Sequence, residues 1–235
     1  MEISNDFSKA SRFSDIGRFY VTNFVTHVAA ALAPGTSILD AGAGECAYKK
    51  YFSHCIYKSV DLAVGDCNWH YEHLDYVSPL HELPIADGSF DAVLCTQVLE
   101  HLNKPLESVK EIYRILKPGG KLYLTAPMAH CEHQTPHDFF RYTSFGLKYL
   151  CEEAGFKTVD IAPFGGLLVR WAYELPRGLE LFPPARLNNW KGLLLAPFKK
   201  IMFAVIRITQ MVFLALDRFD YEKNDPFGWR LIAVK

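Results

Sequence analysis

Short apolar runs closed by turn residues alternate with helix-spaced stretches from residue 37 to residue 161, and no other feature restricts the fold as much. Ser37–Ala41 reads as a strand ending in a glycine turn, and Tyr48–Phe52 as the start of a helix. Ile56–Leu62 is a second strand, Trp69–Tyr76 contains a third, and Phe90–Thr96 is a buried fourth. Ser108–Leu116 follows as a helix that Pro118-Gly119-Gly120 stops, and Lys121–Ala126 is the next strand. Ser144–Glu153 is a helix ended by Gly155, Phe156–Ile161 a strand, and Trp229–Val234 the closing strand. This order predicts an α/β fold, a largely parallel sheet with helices on both faces.

Two segments lie outside that rhythm. Within a leading segment 1–35, apolar Ile16, Phe19, Tyr20, Phe24, Val25 and Val28 predict an amphipathic helix over 16–33. Between Gly165 and Asp225 prolines at 176, 183, 184 and 197 accompany a long apolar stretch. We read residues 1–235 as a single domain, with a helical insertion at 165–225 and a final strand in 226–235.

Composition narrows the function. Half of the 235 residues are hydrophobic and the formal net charge is -1, which suits a globular protein and argues against a broad nucleic-acid surface. The six cysteines (46, 55, 67, 95, 131, 151) form no C-x-x-C pair, so a reducing, cytoplasmic setting is expected. Met1–Ala10 lacks the apolar stretch of a signal peptide. No uncharged apolar run reaches ~18 residues, so no spanning helix is expected.

The sharpest local signal is "SILDAGAGECAYKKYF", residues 37–52. After Asp40, Gly42 and Gly44 let the backbone approach a ligand with no Cβ in the way. The turn is expected to open a helix whose first amides face the carboxyl end of the strands, where open parallel sheets bind ligands. Asp61 closes the second strand at the interval that suits hydrogen bonds to a ribose diol. "GAGECA" also satisfies G-x-G-x-x-A, so the turn by itself admits NAD as well.

The downstream motifs separate the two. "ILDAGAGE", "SVDL", "LPIADGSFDAVLCTQVLEHL" and "EIYRILKPGGKLYLTAPM" resemble, in order and spacing, the motifs of class I S-adenosylmethionine-dependent methyltransferases. The resemblance covers residues 36–164 and returns at "GWRLIAVK". It implies a Rossmann-like seven-stranded sheet with the last strand antiparallel, and S-adenosylmethionine as cofactor. Asp40 and the backbone at Gly42 and Gly44 would hold its methionine part. Asp61, with Leu62 beside it, would take the ribose hydroxyls, and Asp75 would approach the adenine. Thr96 and Gln97 would line the pocket near the methyl-bearing sulfur. Cys46 replaces the third glycine of the family's turn, which crowds the helix start.

The acceptor side is read from "APMAHCEHQTPHDFFRYTSFGLKYL", residues 126–150. Methyl transfer needs an aligned acceptor and, for a hydroxyl or amine, a proton acceptor. One reading makes His133 or His137 the base, oriented by Asp138, with Arg141 and Tyr142 binding a polar acceptor. A second makes the segment a structural lid, in which Asp138 pairs with Arg141 and Thr143 or Ser144 caps the next helix. A third has His130, His133 and His137 bind a metal, but their spacing matches no settled ligand pattern, and no metal is expected. His101 is a further candidate base or a packed histidine. The segment is also similar to bacterial methyltransferases of polysaccharide and lipid-linked glycan assembly, which implies a sugar hydroxyl as acceptor.

On an ideal helix from 198 to 218, Lys199, Lys200, Arg207, Gln210, Asp217 and Arg218 share one sector with Phe203 and Leu214, and the rest is almost wholly apolar. That apolar face must be covered by the domain, by a second copy, or by a bilayer surface helped by Trp171 and Trp190.

Overall fold

The computed structural model describes residues 15–65, 69–181 and 190–235. Cys67, the N-terminal stretch read for a signal peptide, Pro183, Pro184 and the side chain of Trp190 lie outside the described residues. The chain divides into two compact units, one holding residues 21–162 and 228–235, the other residues 15–20 and 163–227 of the described chain.

The first unit is a seven-stranded sheet. Its strands are β1 (Ser37–Ala41), β2 (Ile56–Asp61), β3 (Tyr76–Val77), β4 (Phe90–Thr96), β5 (Leu116–Pro127), β6 (Thr158–Pro163) and β7 (Gly228–Val234). Their order is β3-β2-β1-β4-β5-β7-β6. β1 pairs in parallel with β2 and β4, and β4 in parallel with β5, while β7 runs antiparallel to β5. The mostly parallel α/β sheet and the reversed last strand agree with the sequence reading. Ile38, Leu39, Val93, Leu94, Leu122, Leu124 and Leu231 are fully buried, as central strands covered on both faces must be.

The helices are α1 (Ile16–Ala31), which begins in the second unit, then α2 (Pro105–Ile115) and α3 (Ser144–Ala154). Pro105 opens α2 at a position where a missing N–H costs nothing. Lys235 Nζ donates to the carbonyls of Tyr113 and Leu116 at its other end, where a cation is favoured. Thr143 caps α3 by accepting from the Gly146 amide, and Gly155 ends it at φ 106. Asp91 ties three strands together: it accepts from the Ser37 amide and hydroxyl of β1 and from Lys117 of β5. Those bonds hold its carboxyl down at about 2.

Two expectations are corrected. No α-helix follows the glycine turn; residues 42–55 pass through turns and one 3-10 turn, Lys49–Phe52. Cys46, at the position of the missing glycine, takes φ 56, a left-handed conformation that does not start an α-helix. The third strand is only Tyr76–Val77, because Asp75 binds Ser59 through its side chain instead of extending the ladder.

The second unit contains α4 (Leu167–Glu174) and α5 (Trp190–Leu216). The carboxylates of Asp217 and Asp220 accept from the first amides of α4, at Gly166, Leu167 and Val169. On α5 the buried side chains are Ile206, Gln210 and Leu214, with Asp217 beyond its end. Gln210 donates to the Ala172 carbonyl and accepts from Arg207. Gln210, Leu214 and Asp217 of the sector read as polar are thus buried, while its Lys200, Phe203 and Arg218 are exposed. Ile201, Val205, Ile208, Val212 and Leu216 form an exposed apolar strip on the other side.

Candidate active site

β1, β4 and β5 are parallel neighbours, so the loops after Ala41, Thr96 and Pro127 leave the sheet at one edge. The loop after β1 is built on positive φ: 80° at Gly42 and 52° at Gly44. A Cβ on Gly42 would stand 2.3 Å from a Val98 methyl, and one on Gly44 3.0 Å from the Trp69 ring. Gly42 is therefore favoured twice, by backbone conformation and by Val98, and Gly44 by its backbone conformation, with the Trp69 ring close by.

Asp61, closing β2, organises this loop. One carboxylate oxygen accepts from the Gly44 amide at 2.9 Å and the other from the Ala63 amide at 2.8 Å. A carboxylate has about four acceptor sites, so two bonds leave room for a ligand's hydroxyls. Leu62, next to it, is half-exposed. Asp40 lies beneath the loop, 1% exposed, and accepts from the Tyr57 hydroxyl at 2.6 Å. Burial pushes its carboxyl up to about 7; the Tyr57 bond opposes this and the nearby Asp61 charge adds to it.

Asp75 faces β2, accepting from Lys58 Nζ at 2.7 Å and from the Ser59 amide and hydroxyl. Those bonds occupy the carboxylate that the resemblance assigns to the adenine. Thr96 ends β4 part-buried. Gln97 has φ 55, and its side-chain amide donates to the Thr125 hydroxyl at 3.0 Å, which turns it toward β5.

The loop after β5 is braced from inside. Arg141 makes a bidentate pair with Asp138 at 2.7 and 2.8 Å and donates to the carbonyls of His130 and Cys131. That pairing holds the Asp138 carboxyl far below the usual range. The Tyr142 hydroxyl, buried, donates to the Leu99 carbonyl. These are the bonds of the structural-lid reading, and they point Asp138, Arg141 and Tyr142 into the loop.

The brace assembles histidines. The His133 ring centroid stands 4.7 Å from that of His101 and 4.5 Å from that of His130. His133 Nδ1 lies 3.4 Å from Asp138, and the Asp138 carboxylate also accepts the His133 amide. Burial holds the His101 imidazole below its ordinary pKa, which favours its neutral form. His137 is separate: its side chain is exposed beside Phe139, and only its carbonyl reaches His101. Sequence reasoning missed Tyr57, Val98 and Trp69, which shape the glycine loop. None of the three adjoins the loop in the sequence, so no local signal marks them.

Comparison with known proteins is consistent with this geometry. Residues 39–124 match the family described as Methyltransferase domain. The chain is 53% identical over 38 residues to a ubiquinone biosynthesis O-methyltransferase of Xanthomonas oryzae pv. oryzae, covering 16% of each chain. It is 26% identical over 148 residues to a demethylmenaquinone methyltransferase of Clavibacter sepedonicus, covering 57% of this chain and 56% of that one. The chain thus spans from about a sixth to just over half of the length of these two relatives. Its fold is similar to the crystal structure of an S-adenosylmethionine-dependent methyltransferase from Archaeoglobus fulgidus, with TM-score 0.57 and 17% identity over 95% of this chain and 96% of that one. Residues 39–124 are thus similar to a methyltransferase domain, and the fold of the chain is similar to that of a solved S-adenosylmethionine-dependent methyltransferase.

Proposed function

We propose that the chain methylates a hydroxyl oxygen of a small molecule or glycan, with the cofactor on the 42–46 loop and the acceptor before His101 and His133. The observation that carries this is the shared sheet edge: the glycine loop and the histidine cluster follow neighbouring parallel strands. The acceptor oxygen attacks the methyl carbon opposite the sulfonium; the carbon–oxygen bond forms as the carbon–sulfur bond breaks. S-adenosylhomocysteine leaves as a neutral thioether, and the hydroxyl proton passes to a neutral imidazole, a step typically worth roughly 10²–10⁴-fold. Oxygen is favoured because one relative is named an O-methyltransferase of ubiquinone biosynthesis.

In this reading Asp61 takes the ribose hydroxyls beside Leu62, Asp40 and the loop amides face the methionine end, and Thr96 and Gln97 border the sulfur. Asp75, Asp138, Arg141 and Tyr142 serve by holding their loops in place. Asp61→Ala removes two amide acceptors and the diol partner together. Calorimetry should show S-adenosylhomocysteine binding at least tenfold weaker, about 1.4 kcal/mol. An unchanged dissociation constant removes Asp61 from the site, and binding of NAD in its place ends the methyl-transfer reading.

A peripheral membrane contact through 198–218 is proposed as a second property. It is supported by the exposed apolar strip of α5 and by a neighbouring cleft lined by Leu179, Ala196, Lys199, Lys200 and Phe203. No helix among the described residues is long and apolar enough to cross a membrane. Flotation with anionic liposomes tests it, and absence from the lipid fraction refutes it.

A further inference from the structure

The burial of Glu100 is not matched by bonding. Its side chain is 1% exposed, yet neither carboxylate oxygen has a hydrogen-bond partner among the described residues. Arg141, the nearby cation, already pairs with Asp138. An ionised carboxylate in such a place needs a cation beside it.

The surroundings supply the rest of a cation site. His101 Nε2 lies 3.9 Å from Glu100 Oε1. One donor atom from each of Glu100, His101 and His133 lies within 4.8 Å of the other two. Both imidazoles are oriented from behind: His101 Nδ1 is 2.6 Å from the His137 carbonyl, and His133 Nδ1 3.1 Å from the Cys131 carbonyl. A carbonyl oxygen can only accept, so each Nδ1 carries the proton and each Nε2 offers a lone pair. A backbone carbonyl or carboxylate on the far ring nitrogen is the usual support of a metal-bound histidine. His133 has both, through Cys131 and Asp138.

We propose that Glu100, His101 and His133 form a binding site for a divalent transition-metal cation, zinc being the best chemical match. Two imidazoles and a carboxylate are a known zinc donor set, and three protein donors leave a fourth position open. Zinc–ligand bonds of ~2.0–2.2 Å bring tetrahedral donors to roughly 3.3 Å apart. The three donors, within 4.8 Å of one another, must therefore draw together when the cation binds. The set differs from the His130, His133 and His137 combination weighed from spacing, because only the fold brings Glu100 and His101 to His133. The site does not depend on methyl transfer. Its use does: a hydroxyl bound at the open position would lose its proton more readily, and the cation would replace the imidazoles in that task.

The test is titration of the purified full chain, stripped with chelator, with Zn²⁺ alone by calorimetry and with Co²⁺ by visible absorption. S-adenosylhomocysteine binding is measured in parallel on every variant as the check on folding. One equivalent of zinc is expected, weakened at least tenfold by Glu100→Gln and by His133→Ala and unaltered by His137→Ala. No stoichiometric binding by the wild type, or undiminished binding in His133→Ala, overturns the proposal. Should Glu100→Gln fail to fold, His133→Ala decides. Zinc binding with no binding of S-adenosylhomocysteine would sink the methyltransferase reading and leave the metal site standing.

Discussion

Two glycines in the same unit offer a controlled measurement of what the cofactor loop requires. Gly35 and Gly42 both have φ 80°, but a Cβ on Gly35 meets nothing within 4 Å, while one on Gly42 would sit 2.3 and 2.7 Å from the Val98 methyls. Gly35→Ala therefore reports the left-handed backbone cost alone, ~1–2 kcal/mol. Gly42→Ala carries that cost plus overpacking against a buried-side neighbour, which adds about 1–3 kcal/mol. Urea denaturation of both variants should place Gly42→Ala lower by that difference. Adding Val98→Ala should return part of it, since the clash leaves and the backbone strain stays. Binding of S-adenosylhomocysteine should fall in Gly42→Ala, whose loop must move, and be unaltered in Gly35→Ala. Equal stabilities within ~0.5 kcal/mol, or no recovery on shortening Val98, would refute the close-packing argument.

Two further outcomes follow from the charges. Asp40 has a folded pKa of about 7 against 3.8 for an unperturbed carboxyl, so the folded chain holds an extra proton between those values. Stability attributable to Asp40 is full below pH 4, declines as pH rises toward 7, and is level above it. Each pKa unit is worth about 1.4 kcal/mol. Asp40→Asn should flatten the denaturation midpoint between pH 4 and 7; an identical slope in both proteins removes Asp40 as the cause. Arg141→Lys, which cannot make the bidentate pair with Asp138, should speed hydrogen exchange over 130–142 and slow methyl transfer while cofactor affinity holds. Unaltered exchange there would show that the brace is dispensable.

Much of the first unit was legible from residues alone because its signals are local. The β1, β4 and β7 runs are short, apolar and bounded by turn residues. Thr143 and Gly155 mark α3 by capping chemistry, which acts within four residues. The Gly42–Gly44 turn and Asp61 are likewise read from spacing, since strand, turn and strand are consecutive. The absent helix after that turn was harder to foresee. It depended on the left-handed backbone that Cys46 takes.

The acceptor side depended on partners far apart in the chain. Whether His133 or His137 enters the cluster is settled by which ring the Asp138–Arg141 brace turns inward, and by His101 arriving from another strand. Glu100 looks like an ordinary charge in "VLEHL" until the fold closes over it. The face of α5 that is buried was likewise chosen by Gln210 and Asp217 meeting α4, against the apolar pattern. Periodicity and turn chemistry belong to neighbouring residues and survive in the linear chain. Burial, pairing and ring orientation are set by whatever the folded backbone brings alongside.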